Sequence, residues 1–379
     1  MKKLLVFLFI IFCTINIFSQ PNIPVFESGK DGHKSYRIPA IIKLNNGHLL
    51  AFAEGRVQGA SDFGDVNIVL KISTDNGRTW GSIKTIVDYD TLQAGNPAPV
   101  VDLTDPAYTT GRIFLFYNTG NKQESDVRNG NGLREVWYKT STNGGINWSE
   151  AVNITLQTHR PKLPQINPAY NFTDDWRSYA NTPGHAMQFE TGKYKGNHSE
   201  GGIQNESMDY IAHGFYTDDH GKTFHISNNV NLPGGNENMA AELSDGRIML
   251  NIRNQRGDVR ARYIAISSNG GQSWDTSYFD KNLPDPVCQG SLLTIGKKRK
   301  QNILAFSNAA DEMRRDNLTL RISFDDGKTW KKNFVIYKNP SQPDAAAYSD
   351  IVKLSGKKIG VLYEKDNYSK IVFTVVKWK

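Results

Sequence analysis

The chain has 379 residues, a formal net charge of +7, 38% hydrophobic residues, 33 glycines and only two cysteines. That length and apolar fraction are enough for a substantial core, and they exclude a disordered, collagen-like or disulfide-stapled chain. The basicity is modest and dispersed and no nucleic-acid motif accompanies it, so charge gives no reason to expect DNA or RNA as a partner.

The N-terminal stretch MKKLLVFLFIIFCTINIFSQ carries Lys2 and Lys3, an apolar run to about Phe12, and a small residue at Ser19. This is the pattern of a secretory signal peptide over residues 1–19, cut near Ser19-Gln20. The apolar run is short for an uncleaved spanning anchor, and Phe12 before Cys13 fits a lipoprotein poorly. The expected product is a single domain, residues 20–379, secreted or periplasmic, with no membrane span in its mature form. It keeps one cysteine, Cys288, read as a buried thiol, so no intrachain disulfide can form.

Further along, Val66–Ile72 alternates apolar and polar residues as a half-buried strand does, and runs into STDNGRTW at Ser73–Trp80. The octet recurs as STNGGINW (Ser141–Trp148), TDDHGKTF (Thr217–Phe224), SSNGGQSW (Ser267–Trp274) and SFDDGKTW (Ser323–Trp330). The pattern is S/T-x-D/N-x-G-x-T/S-aromatic, with Ile146-Asn147 spoiling the hydroxyl position of the second copy. Asp or Asn with Gly two residues later suits a tight turn, where a short polar side chain bonds nearby backbone and Gly takes positive φ. The aromatic is expected to open the next strand and bury its ring. Nothing in the octet suits chemistry, so it reads as a structural staple.

Ile303–Ser307, Leu318–Ser323, Lys358–Tyr363 and Ile371–Val376 also read as strands, Lys297–Lys300 as a hairpin tip, and no sustained helical period is present. Thr158 to about Asn205 is rich in Pro, Gly and Asn and is expected to be an elaborated loop near a binding face. The octets start 68, 76, 50 and 56 residues apart, which divides the mature chain into close to six units, one of them without an octet. Four strands per unit predict an all-β, six-bladed β-propeller, with a solenoid or a two-domain sandwich as the alternative.

Between the octets lie sparse motifs: Ser35-Tyr36-Arg37-Ile38-Pro39, Glu54-Gly55-Arg56, Ser61-Asp62-Phe63-Gly64-Asp65, GNENMAAELSDGRIMLNIRNQ from Gly235, Arg314-Arg315-Asp316-Asn317-Leu318, Ala347-Tyr348-Ser349-Asp350 and Leu362-Tyr363-Glu364. YRIP followed by Asp-boxes resembles the sialidase (neuraminidase) superfamily, most closely the bacterial exo-α-sialidases, over essentially the whole mature chain. The resemblance implies an arginine triad, Arg37, Arg253 and Arg315, for the substrate carboxylate, with Arg315 preferred over Arg314 because it directly precedes Asp-Asn-Leu. It places Arg56 near the sugar's O4 side, Asp62 as acid/base with Asp65 as runner-up, Tyr348 as nucleophile, Glu237 as its activator, and Glu364 as the brace of Arg37. No metal or cofactor is implied, and the histidines show no metal-ligand spacing.

Guanidinium groups suit this chemistry because they are planar, permanently charged and bidentate toward a carboxylate. A neutral tyrosine can approach an anomeric carbon bearing a carboxylate without the repulsion an Asp or Glu would meet; tyrosine nucleophiles in sialidases are a known exception among glycosidases. The implied function is hydrolysis of terminal α-linked sialic acids from glycoproteins, glycolipids or oligosaccharides by a monomer. Transfer of the sugar, or intramolecular release of an anhydro sugar, would use the same core residues. A non-catalytic glycan-binding propeller would need the arginines but neither nucleophile nor acid. Linkage preference and the favoured sialic acid variant are not readable from the sequence.

Overall fold

A computed structural model of the chain describes residues 22–190, 198–206 and 209–379, with side chains described outside 198–206 and 209. The expected signal peptide lies outside the described residues. The fold is all-β; the described helices are two short ones, Glu124–Arg128 and Thr155–Thr158. None of the described helices is long and apolar enough to cross a membrane.

Hydrogen bonding groups the strands into successive antiparallel runs. The first contains Ser35–Lys43, Leu49–Arg56, Val66–Ser73 and Lys84–Val87. The second contains Gln93–Asp102, Arg112–Gly120, Arg134–Ser141 and Val152–Asn153, and touches the first through one parallel bridge, Val66 to Gln93. The third contains Tyr179–Asn181, His198–Glu206, Asp209–Thr217 and His225–Ile226, with Met187–Gln188 added beside His198–Glu206. The fourth is Gly235–Glu242, Ile248–Asn254, Ala261–Ser267 and Thr276–Pro284. The fifth is Gly290–Lys298, Gln301–Ala309, Leu318–Ser323 and Lys332–Tyr337. The last joins Ser349–Lys353, Lys358–Lys365 and Lys370–Lys377 to the first described strand, Ile23–Glu27.

Every octet links the third and fourth strands of a run. In the first copy Ser73 Oγ donates to Asp75 Oδ1 (2.8 Å) and accepts from Gly77 N (2.8 Å), while Thr79 donates through N and Oγ1 to the two Asp75 oxygens (2.9 and 2.7 Å). These bonds hold the exposed Asp75 carboxyl at a pKa of about 2, the Thr79 hydroxyl contributing most. The second copy keeps the backbone bond from Asn147 N to Asn143 Oδ1 (2.9 Å) but has no hydroxyl at residue 147 to add the second. Gly77 sits at φ +84°, and a Cβ there would collide with the Phe373 ring of the last run.

The octet aromatics stand just before the fourth strand instead of opening it: Lys84–Val87 begins four residues after Trp80. Freed from the ladder, each ring packs into the apolar cluster shared with the preceding run. Trp80 joins Phe373 and Val69, Trp148 joins Leu50 and Leu115, Phe224 joins Phe116 and Phe215, Trp274 joins Leu250 and Tyr263, and Trp330 joins Leu304 and Phe306. Phe224 is buried there, whereas the four tryptophans are half-buried against their clusters.

The last run has no octet for a topological reason. Its third strand, Lys370–Lys377, is the last described strand and its fourth is the first, so among the described residues no segment runs directly from third to fourth strand to carry an octet. Trp378 instead fills the cluster between the fifth and last runs.

The stretch from Thr158 to Asn205 departs from its reading as one long loop. It supplies Tyr179–Asn181, Met187–Gln188 and most of His198–Glu206 to the third run. Its strand signal is weak because Pro and Gly punctuate short strands and alternation never runs long enough to register.

Candidate active site

Arg37, Arg56, Asp62, Glu237, Arg253, Arg315 and Tyr348 line one cavity of about 520 Å³. The eighth expected residue, Glu364, lies fully buried directly behind it.

Several of these side chains are aimed by irregularities in strands. The pairing of Ser35–Lys43 with its neighbour shifts register between Arg37 and Ala40, and Ile38 there takes φ +58°. A β-branched residue in the left-handed region is strained, by about 1–3 kcal/mol. Glu364 holds that conformation: its Oε1 accepts from Arg37 Nε (2.7 Å) and from Ile38 N (2.9 Å). Its Oε2 accepts from Tyr348 N (3.1 Å), and Glu364 N donates to Tyr348 O (2.9 Å). One carboxylate thus fixes both an arginine and the backbone of the candidate nucleophile. A matching register shift falls between Gly235 and Asn238, where it carries Glu237, and another between Gly95 and Ala98, with Asn96 at φ +53°. Bulges bend a strand and redirect side chains, and they cluster beside functional sites.

The centre of the site is a hydrogen-bonded trio. Tyr348 Oη donates to Glu237 Oε1 (2.5 Å), and Arg253 Nη1 donates to Glu237 Oε2 (2.8 Å) and to Tyr348 Oη (2.9 Å). Burial first, and Glu237 second, push the Tyr348 phenol well above its ordinary range, against the pull of Arg253 and Arg315. Tyr348 is therefore a neutral phenol with a carboxylate acceptor already in place.

Arg315 lines the cavity and donates to Tyr368 Oη (3.1 Å), whereas Arg314 turns outward to the Pro340 carbonyl (2.9 Å) and Asp316 (3.4 Å). Arg56, also on the cavity wall, donates through Nε and Nη2 to Glu54 Oε2 (3.0 and 2.6 Å), and its Nη1 lies 2.8 Å from Asp62 Oδ1. Asp62 has an 85% exposed side chain and stands 4.0 Å from Arg37. Partial desolvation would raise its pKa, but Arg56 and Arg37 together outweigh it and hold the carboxyl below its ordinary value. Asp65 is absent from the cavity wall, and its carbonyl accepts from Val57 N (3.0 Å) to close the loop that presents Asp62. Cys288 is buried against Tyr348, Ile38 and Ala347, with burial lifting its thiol to about 11.

Three contributors went unread in the sequence. Glu54 clamps Arg56 and also accepts from Asn96 N (2.9 Å) through Oε1. Tyr368 stacks under Arg37, 3.9 Å from guanidinium carbon to ring centroid, and ties that arginine to Arg315. Arg134 enters the same cavity from the second run. Glu54 lies within the Glu54-Gly55-Arg56 motif, but nothing in the sequence assigns it a role. For Tyr368 the only signal was the preceding Asp366-Asn367 turn, where all three residues take positive φ. Arg134 had no local signal.

Comparison with known proteins gives a consistent result. The BNR repeat-like domain family matches residues 47–361. The sialidase of Micromonospora viridifaciens is 33% identical over 356 residues, 89% of this chain and 51% of that protein. The chain thus spans about half the length of that relative. The exo-alpha-sialidase of Arthroderma benhamiae is 30% identical over 89% of this chain and 79% of its own length. Among solved structures, Hadza microbial sialidase Hz136 superposes with a TM-score of 0.79 at 24% identity, covering 94% of this chain and 68% of that one. The intramolecular trans-sialidase of Ruminococcus gnavus superposes with a TM-score of 0.74 at 16% identity, covering 94% and 97%. At such identities the structural likeness speaks for the fold.

Proposed function

The chain belongs to the BNR-repeat (Asp-box) sialidases of the bacterial type, and from that premise we propose that it is an exported exo-α-sialidase acting on sialylated glycoproteins, glycolipids or oligosaccharides. The observation that carries the reading is the Tyr348–Glu237–Arg253 trio in a cavity that also holds Arg37, Arg315 and Asp62. A glycan-binding protein needs cations for the sugar carboxylate but has no use for a phenol hydrogen-bonded to a carboxylate.

The mechanism follows from the groups present. The substrate carboxylate is taken by Arg37, Arg253 and Arg315, with Glu364 and Tyr368 fixing the first and third. Tyr348 attacks the anomeric carbon as its proton passes to Glu237, and Asp62 protonates the departing glycosidic oxygen. This gives a sialyl-tyrosine intermediate. Asp62 then deprotonates a water that attacks the same carbon, Glu237 returns the proton to the leaving phenolate, and the sugar emerges with its configuration retained.

The proposed architecture is one six-bladed propeller over residues 20–379, with residues 1–19 removed on export. Its support is the set of apolar clusters lying between consecutive runs, together with the pairing of Ile23–Glu27 to Lys370–Lys377, which brings the ends of the described fold together.

The test is turnover of an aryl sialoside with product analysis. Wild-type protein should release free sialic acid, first as the α anomer. Tyr348→Phe should reduce kcat by at least about 100-fold while melting as the wild type does. Unchanged turnover in Tyr348→Phe would remove the phenol from the mechanism. An anhydro sugar or a sialylated acceptor as main product would replace hydrolysis with transfer.

A further inference from the structure

The cavity holds five arginines, and their partners are unequal. Arg37 has Glu364, Arg56 has Glu54 and Asp62, and Arg253 has Glu237. Arg315 and Arg134 have only neutral hydrogen-bond partners, Tyr368 Oη and Gln93 Oε1. For Arg315 the proposed function supplies the missing anion, the sugar carboxylate. It assigns nothing to Arg134.

Arg134 is 6% exposed, and no carboxylate among the described residues comes within ion-pair distance of it. Burial depresses its pKa, with Glu124, Glu54 and Asp62 compensating only from a distance. A buried guanidinium left this way carries a desolvation cost that a ligand oxygen can offset. Its position is built: a Cβ on Gly120 would strike Arg134 Nη1, and the same Cβ would lie 3.0 Å from Gln93 Oε1. Gln93 in turn lies beside Glu54, because a Cβ on Gly95 would meet both Glu54 Oε1 (2.6 Å) and Gln93 Nε2 (3.0 Å). A continuous row, Arg37, Asp62, Arg56, Glu54, Gln93, Arg134, therefore runs from the carboxylate clamp along one wall.

A sialic acid seated by its carboxylate projects, on successive ring carbons, a hydroxyl at C4 and an acylamino group at C5. Resting on the proposed function, we propose that Arg134, locked by Gln93 and Gly120, is a specificity residue that donates to the carbonyl oxygen of an acyl substituent on the sugar. The acyl group can be the C5 amide or an ester on O4. Arg134 thus distinguishes acylated sialosides from those with a free hydroxyl in both places.

The test measures kcat/KM on aryl sialosides bearing a C5 acetamido group, a C5 hydroxyl group, or a C5 hydroxyl with an acetyl ester on O4. Arg134→Met keeps the apolar stem, and Gly120→Ala displaces the guanidinium without removing it. Both should lower kcat/KM by about 10- to 100-fold on the acylated substrate that uses the contact, and by less than about 3-fold on the doubly hydroxylated one, with unchanged melting temperature. Loss confined to the acetamide identifies the C5 amide as the recognised group, and loss confined to the ester identifies O4. Equal losses on all three would make Arg134 a support for Glu54 and Arg56 and overturn the proposal, as would no loss on any. A wild-type protein that cleaves none of them fails the hydrolase reading itself, which separates the two failures.

Discussion

Asp62→Asn is the perturbation that tests the chemistry most directly. The carboxyl is 85% exposed, and Arg56 keeps its two bonds to Glu54 when Asp62 is neutralised, so folding should be unaffected. Proton donation by a positioned side chain is worth about 10²–10⁴ in rate. Asp62→Asn should therefore lower kcat/KM by that factor on glycosides whose leaving group is a sugar hydroxyl. Nitrophenyl sialosides release nitrophenolate, a stable anion that needs little protonation, and should lose less than about 10-fold.

The pH dependence carries a second signature. In the free protein Arg56 and Arg37, outweighing desolvation, hold the Asp62 pKa below its ordinary value. An acid must be protonated to act, so kcat/KM on natural glycosides should fall as pH rises from the acidic range. On the proposed function, a bound substrate would place its own carboxylate on Arg37 and displace water from Asp62, and both effects would raise the pKa. The basic limb of kcat should therefore lie at higher pH than that of kcat/KM, because kcat reports the bound complex. Both limbs should vanish in Asp62→Asn. Equal losses on the two substrate types, or a limb surviving the substitution, would refute Asp62 as the acid.

Two further substitutions probe the framework. Glu364→Gln keeps one oxygen for Arg37 and Ile38 but turns an NH₂ toward Tyr348 N. It should lower the unfolding free energy by about 3 kcal/mol in urea titration, and a change under about 1 kcal/mol would show the buried carboxylate is not the brace described. His213 is fully buried among Trp176, Tyr179 and His159, and burial lowers its pKa to about 4 from 6.5, with Arg160 adding to the effect. Between those values the unfolded chain binds the extra proton, so stability should be lost as pH falls from about 6.5 to about 4, by about 3 kcal/mol from this group. His213→Phe should flatten that part of the curve, and an unaltered slope would assign the acid sensitivity elsewhere.

The periodic part of the fold was legible because repetition multiplies a weak signal. The sequence marks five turns through Ser73, Asn143, Asp219, Asn269, Asp325 and their neighbours, all of which bond as their residue types require. The third run was obscured because its first strands lie in a stretch broken by Pro and Gly. The motif residues could be picked out because each sits in a local pattern. Glu54, Tyr368 and Arg134 escaped because their work depends on partners far away in sequence: Arg56 lies two residues from Glu54, but Asn96 lies 42 away, and Arg315 lies 53 from Tyr368. Bulges were equally silent, since a positive φ at Ile38 contradicts what a β-branched residue prefers.

That strain points to how site and fold depend on each other. Arg37 and Glu364 are separated by 327 positions, and they meet where Ser35–Lys43 of the first run packs against Lys358–Lys365 of the last. The Glu364 carboxylate then holds Ile38 in a conformation it would otherwise leave, and the same carboxylate sets the backbone of Tyr348. Tyr348 in turn reaches Glu237 and Arg253 in the fourth run. Aiming the first arginine and seating the phenol are therefore one linked set of contacts through Glu364. The strand that carries Glu364 pairs with Lys370–Lys377, which in turn pairs with Ile23–Glu27, although neither of those two strands contributes a side chain to the cavity wall.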